Sequence, residues 1–221
     1  MTRLIVVRHG YSTANDCDAF AGQTDVPLTE KGMRQAEHVA AYLAAHERID
    51  RIIYSDMTRT RQTAAPAAKL FGLPLFADAA LRELFAGVWE NRPFAEIARC
   101  YPEDWWRWIF DFAHARCTLG ESVREHYFRI QNAILRIARE NEGKTVLLVT
   151  HCTPLRILNA MAKKLPPERI DEAEFPANAS INIYNLENGE LTVEKTGIIA
   201  FPTSVSASKR FPPPPFLPKH H

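Results

Sequence analysis

The sequence predicts an α/β fold: a three-layer α/β/α sandwich around a largely parallel sheet, with a helical cap insertion and a C-terminal hairpin. Short β-branched, apolar runs alternate with longer stretches of helical periodicity, which is the pattern of βαβ units. Leu4–Val7 and Val146–Val149 are continuously apolar, as strands covered on both faces are. Near the C-terminus two short strands flank Asn188-Gly189, a dipeptide suited to a tight hairpin turn.

In chain order, Leu4-Ile5-Val6-Val7 is the first strand. A helix follows from Thr29 to about His46, with Thr29 as N-cap and Ala36, Val39, Ala40 and Leu43 as its apolar face. Arg51–Tyr54 is the second strand. The helix through Thr60–Leu70 stops at Gly72 and Pro74, since glycine takes the left-handed cap and proline cannot continue the turn. Leu75-Phe76 is a brief third strand. From Pro93 to about Gly120 the rhythm breaks into an aromatic stretch, read as the cap. There Trp105, Trp108, Ile109 and Phe112 recur at helical spacing, so core packing is the expected role and ligand contact the alternative. Glu121 to about Glu140 is a long amphipathic helix, and Val146–Val149 the next strand. Pro154 to about Lys164 is a helix with Thr153 as N-cap. Ile181–Tyr184 and Leu191–Glu194 make the hairpin. One domain is therefore expected over 1–201, with the cap at about 93–120. Residues 202–221 read as a proline-rich tail outside the core, or alternatively as a polyproline II ligand.

Composition removes several function classes. Lys+Arg 27 against Asp+Glu 26 leaves a net charge of +1, which speaks against a nucleic-acid or membrane-surface binder. No run reaches the roughly 20 apolar residues that a membrane helix needs. The apolar core of MTRLIVVRHG is too short for a secretory signal and is broken by Arg8-His9. Cys17, Cys100, Cys117 and Cys152 show neither CxxC pairing nor zinc spacing, so no metal is expected, and reduced thiols in a cytoplasmic protein are. Oligomeric state is not legible from length or composition.

Three strands end in polar groups of one kind. The first delivers Arg8-His9-Gly10; the second Ser55-Asp56, with Arg59 and Arg61 a turn later; the fourth Thr150-His151. Strand C-termini converge on one edge of a parallel sheet, where such folds bind ligands. Histidines and arginines gathered there suit a phosphoryl group, because guanidinium forks match its oxygens. Other phosphate devices fail on spacing. Gly143-Lys144-Thr145 resembles the end of a P-loop, yet Ala138 stands where that motif needs glycine. A cysteine-phosphatase loop needs five residues between cysteine and arginine. Only Thr153, Pro154 and Leu155 separate Cys152 from Arg156, and Pro154 has no N–H to offer.

Arg8-His9-Gly10 resembles the RHG signature of the histidine phosphatase (phosphoglycerate mutase-like) superfamily. The similarity continues through Gly22-Gln23 to Thr29, Ser55 to Ala64, Leu81-Arg82-Glu83 with Gly87 to Glu90, Gly120-Glu121-Ser122, and Val149-Thr150-His151. It spans about residues 3–185. The resemblance implies His9 as the nucleophile, with Arg8, Arg59 and His151 on the phosphoryl oxygens and Asn15 as a neutral donor. Gly22 and Gln23 fall in the implied substrate-binding loop. Glu83 is the implied general acid, then base. A small phosphate ester is the implied partner, and no cofactor is implied. Cys152, Tyr11 and Asn91 depart from residues common in the family and bear on substrate preference. Leu84 to Gly87 looks more like the phosphatase branch than the cofactor-dependent mutases. The Trp-rich segment with Gly120-Glu121-Ser122 resembles α-ribazole phosphatases, a pattern that broad sugar-phosphate phosphatases share. Mutase-type phosphoryl transfer and a non-catalytic phospho-ligand module remain the alternatives.

Overall fold

The structure, a computed structural model, describes residues 1–201; the segment 202–221, with both readings of it, lies outside the described residues. The first half of the chain forms β1 (Thr2–Arg8), α1 (Thr13–Asp16), β2 (Ala19–Phe20), α2 (Glu30–His46), β3 (Arg51–Tyr54), α3 (Thr58–Phe71) and β4 (Leu75–Ala77). The second half forms β5 (Arg92–Pro93), α4 (Phe94–Cys100), α5 (Pro102–Phe110), α6 (Val123–Glu140), β6 (Thr145–Thr150), α7 (Cys152–Ala162), β7 (Ile181–Glu187) and β8 (Glu190–Ile198).

Among the described residues the main sheet has the order β4-β3-β6-β1-β7-β8. β4, β3, β6 and β1 run parallel, and the β7–β8 hairpin is antiparallel to β1. Successive side chains of a strand point to opposite faces. Leu4 and Val6 therefore join one core with α6 and α7, while Ile5 and Val7 join the other with α2 and α3. That is why these runs are continuously apolar. Each such side chain contributes about 1.5–3 kcal/mol on burial. A separate two-stranded ribbon, β2 with β5, ties the loop after α1 to the cap.

Several boundaries move. α3 begins at Thr58 rather than Thr60. α6 begins at Val123, because Ser122 makes a capping box with Glu125 and leaves Glu121 outside the helix. α7 begins at Cys152, with His151 and not Thr153 in the N-cap position (φ −119, ψ −173). Pro154 is tolerated there because first-turn N–H groups have no intrahelical acceptor. The hairpin turn uses positive φ at both Asn188 and Gly189, as its tight form requires. In the cap, Trp105, Trp108 and Phe112 are buried. Trp89 meets Trp105 and Trp108 edge to face, and Trp108 meets Phe112 in the same way.

Candidate active site

β1, β3 and β6 end at one edge, and the register Arg8↔Thr150 puts the residues after them side by side. His9 follows β1, with its N–H donating to Thr150 O at 2.9 Å. Its ring is buried, and Nδ1–H donates to the Gly10 carbonyl at 2.7 Å. That bond fixes the tautomer and leaves the Nε2 lone pair free. Burial first, and then the charges of Arg59 and Arg8, hold the His9 pKa well below its ordinary value. Gly10 must be glycine for a steric reason: a Cβ there would lie 2.6 Å from Gly32 O. The Asn178 amide donates to His9 O at 3.2 Å and Gly10 O at 3.4 Å, clamping the loop from the far end of the chain.

Arg59 on α3 is fully buried. Nη2 donates to Gly22 O at 2.7 Å, Nη1 to Thr24 O at 2.8 Å, and Nε to His151 Nδ1 at 3.2 Å. Burial brings its pKa down to about 10, so it stays cationic at neutral pH. Arg8 donates from Nη1 to Pro176 O at 2.7 Å, and its Nε is buried without a partner. His151 differs from the expectation that it holds a phosphoryl oxygen. Its Nδ1 accepts from Arg59 and its Nε2 is 2.8 Å from Ser55 Oγ, so both ring nitrogens are engaged, and it is absent from the cavity lining. Its ring instead sits edge to face with His9, centroids 5.3 Å apart. It packs against His9 and meets the Arg59 guanidinium.

Glu83 lies on the other side of the cavity. Oε1 accepts from Leu84 N at 2.9 Å and Oε2 from Thr153 N at 3.2 Å, the latter a first-turn amide of α7. Asn15 and Gly22 line the cavity. Asn15 Oδ1 accepts from Ser12 N and Asn178 Nδ2, which turns the amide nitrogen away from those bonds. Gln23 differs from expectation: it is outside the lining, and its Nε2 donates to Glu83 O at 3.2 Å. It braces Glu83. Sequence reading also missed Glu90, whose carboxylate accepts from the amides of Gln23, Thr24 and Ala86 and orders that loop. Asn178 was missed too, and Ser55, named only as a strand-end residue, was not tied to His151, because no local pattern links residues so distant in the chain.

Arg8, His9, Arg59 and Glu83 share one cavity of about 310 Å³. Phe20, Phe94, Trp108 and Phe175 also line it. Trp108 thus serves both roles weighed for it, packing and lining. Cys152 lines the cavity, but burial pushes its thiol pKa up, opposite to what a nucleophilic cysteine needs. Arg156 is outside the lining. Its guanidinium stacks on Phe112 and Phe175, at 4.3 and 3.9 Å, and donates to Ala173 O.

A family profile described as "Histidine phosphatase superfamily (branch 1)" matches residues 4–199. Phosphoserine phosphatase 1 of Hydrogenobacter thermophilus is 30% identical over 202 residues, covering 90% of this chain and 93% of that protein. Probable phosphoglycerate mutase GpmB of Yersinia pestis is 38% identical over 168 residues, covering 75% and 77%. A bifunctional protein of Mycobacterium tuberculosis is 35% identical over 161 residues, and the match spans only 44% of its length. Among solved structures, Bacillus stearothermophilus YhfR matches with TM-score 0.83 and 29% identity, over 89% of this chain and 97% of that one. The alpha-ribazole phosphatase of Shigella flexneri matches with TM-score 0.80 and 25% identity, over 90% and 98%.

Proposed function

The chain belongs to the histidine phosphatase superfamily, and from that premise we propose that it hydrolyses small phosphomonoesters through a phosphohistidine on His9. The observation that carries this reading is the His9 tautomer: Nδ1–H on Gly10 O, Nε2 free, in a cavity shared with two guanidiniums and a carboxyl group. Nε2 attacks phosphorus in line, and the ester P–O bond breaks. The leaving oxygen takes its proton from Glu83. Arg8 and Arg59 hold equatorial oxygens and offset charge as it spreads over them. Asn15 and the Gly22 loop complete the cradle, and His151 steadies Arg59 and His9 from behind. Water then attacks the phosphohistidine, Glu83 accepts its proton, and the P–N electron pair returns to His9.

Mutase-type transfer is the second reading, favoured by the likeness to GpmB. A phosphoglycerate adds a carboxylate that wants its own cation. Beyond Arg8, His9 and Arg59, the ionisable lining residues among the described residues are Tyr11, Asp18, Glu83 and Cys152. With the aromatic side chains that share the lining, that set favours an uncharged, largely apolar leaving group and transfer to water.

A panel of phosphate esters, aryl and alpha-ribazole phosphates among them, tests the proposal with wild type and His9→Ala. Release of phosphate that falls to background in His9→Ala supports it. Isomerised ester without release points to the mutase, and an unreactive wild type to a binding module. The phosphoprotein is expected to be acid-labile and base-stable. A label that survives His9→Ala but vanishes in Cys152→Ser overturns the mechanism.

A further inference from the structure

α6 carries a histidine that the proposed cycle has not used. His126 is fully buried, and its Nε2 is a buried polar atom without a hydrogen-bond partner. Arg129 Nη2 donates to Nδ1 at 2.6 Å, so the ring proton is on Nε2. That N–H faces Glu83: Nε2 and Oε1 are 3.7 Å apart. The gap is too long for a hydrogen bond and closes with a side-chain shift of less than about 1 Å.

We propose that His126 is a positioning residue for Glu83, whose Nε2–H closes on Oε1 when Glu83 is ionised and holds the carboxylate ready for water. The inference rests on the phosphatase reading above. Glu83 must be an acid while the ester breaks and a base while the phosphohistidine is hydrolysed. As a carboxylate it has two backbone donors, Leu84 N and Thr153 N. His126 supplies a third that the protonated form does not need. In the second half-reaction the water oxygen bonds to phosphorus, the P–N bond breaks, and the water proton goes to Glu83. The donor from His126 then relaxes to its resting distance.

Neutrality of the ring matters, because a neutral donor stabilises the carboxylate without adding a proton to the cycle. The groups facing His126 are Glu121, before α6, Arg129 on α6, Glu83, and His151 at the end of β6. Burial and Arg129 favour the neutral ring over the pull of the two carboxylates. Glu83 is faced in addition by Arg59 from α3, Cys117 from the end of the cap, and Cys152 from α7.

The test is a ¹³C NMR titration of the Glu83 carboxyl, assigned with Glu83→Gln, in the full chain and in His126→Phe and His126→Gln. Phosphate release is followed over the same pH range. Loss of the donor is expected to raise the Glu83 midpoint by about one unit. The acid limb of kcat should move upward with it, because the base form is then reached at higher pH. Gln, whose amide N–H reaches the Nε2 position, is expected to reverse most of the shift, back toward the wild-type midpoint. His126→Met replaces the Phe variant if that does not fold. An unmoved midpoint in the folded Phe or Met variant, or a Gln variant shifted as far as that variant, overturns the positioning role. A moved midpoint in a protein that releases no phosphate keeps the positioning and overturns the phosphatase reading instead.

Discussion

Glu83 and His9 divide the proposed chemistry between a proton and a lone pair, and backbone hydrogen bonds orient each. For Glu83 the bonds come from Leu84 N and Thr153 N; for His9 the bond goes to Gly10 O. Glu83→Gln keeps the shape and removes the transferable proton. It is expected to lower kcat by about 10²–10⁴ on an alkyl phosphate. On an aryl phosphate, whose leaving oxygen needs no proton, the pre-steady-state burst of phenol release should fall much less, while steady-state turnover stays limited by loss of the base for water. That His9, Arg8, Arg59 and Glu83 share one cavity was legible from strand ends and motif order, because sheet topology brings those segments to one edge. The inward turn of His151 and the bracing role of Gln23 were not. Each depends on a partner, Ser55 or Glu83, whose distance in space has no trace in local spacing.

The loop after β1 and the first turn of α2 meet without side chains between them. A Cβ on Gly32 would lie 2.1 Å from Tyr11 O, just as one on Gly10 would meet Gly32 O. Gly32→Ala therefore forces the first turn of α2 away from the loop that orients His9. A cost of about 1–3 kcal/mol is expected, as for other overpacked positions. Urea titration should show it as a lower midpoint with an unchanged slope. The helices and strands themselves were readable from periodicity and caps. Their starts were less so: Ser122 and His151 act as caps because of where the preceding chain leaves the cap and the sheet. The β2–β5 ribbon, made of Ala19–Phe20 and Arg92–Pro93, is too short to carry any period.

At the scale of the whole molecule, three histidines are buried among the described residues: His9 after β1, His126 on α6 and His151 after β6. His9, His126 and His151 all have pKa values held below the ordinary 6.5, chiefly by burial. Below that pH the unfolded chain takes up protons at these rings that the folded chain refuses. More protons on the unfolded state mean stability that rises with pH. Their contribution is therefore fully present above about 6.5 and is lost as pH falls through the depressed values. Thermal melts at fixed ionic strength should be flat for these groups above that pH and decline progressively toward pH 5. A midpoint that rises on acidification would contradict the buried, neutral assignment.

β1 occupies the middle of the sheet, yet neither of its neighbours is near it in sequence. Arg3 pairs with Thr145 on one side, and Thr2 with Leu186 on the other. A ribosome therefore releases the central strand long before anything can flank it. Contacts of such long sequence separation slow folding and leave apolar edges open in the meantime. The Asn178 clamp on His9 and Gly10 arrives in the same late segment. A nascent chain carries His9 from early in synthesis, but the loop that orients it is clamped only when the last strands dock.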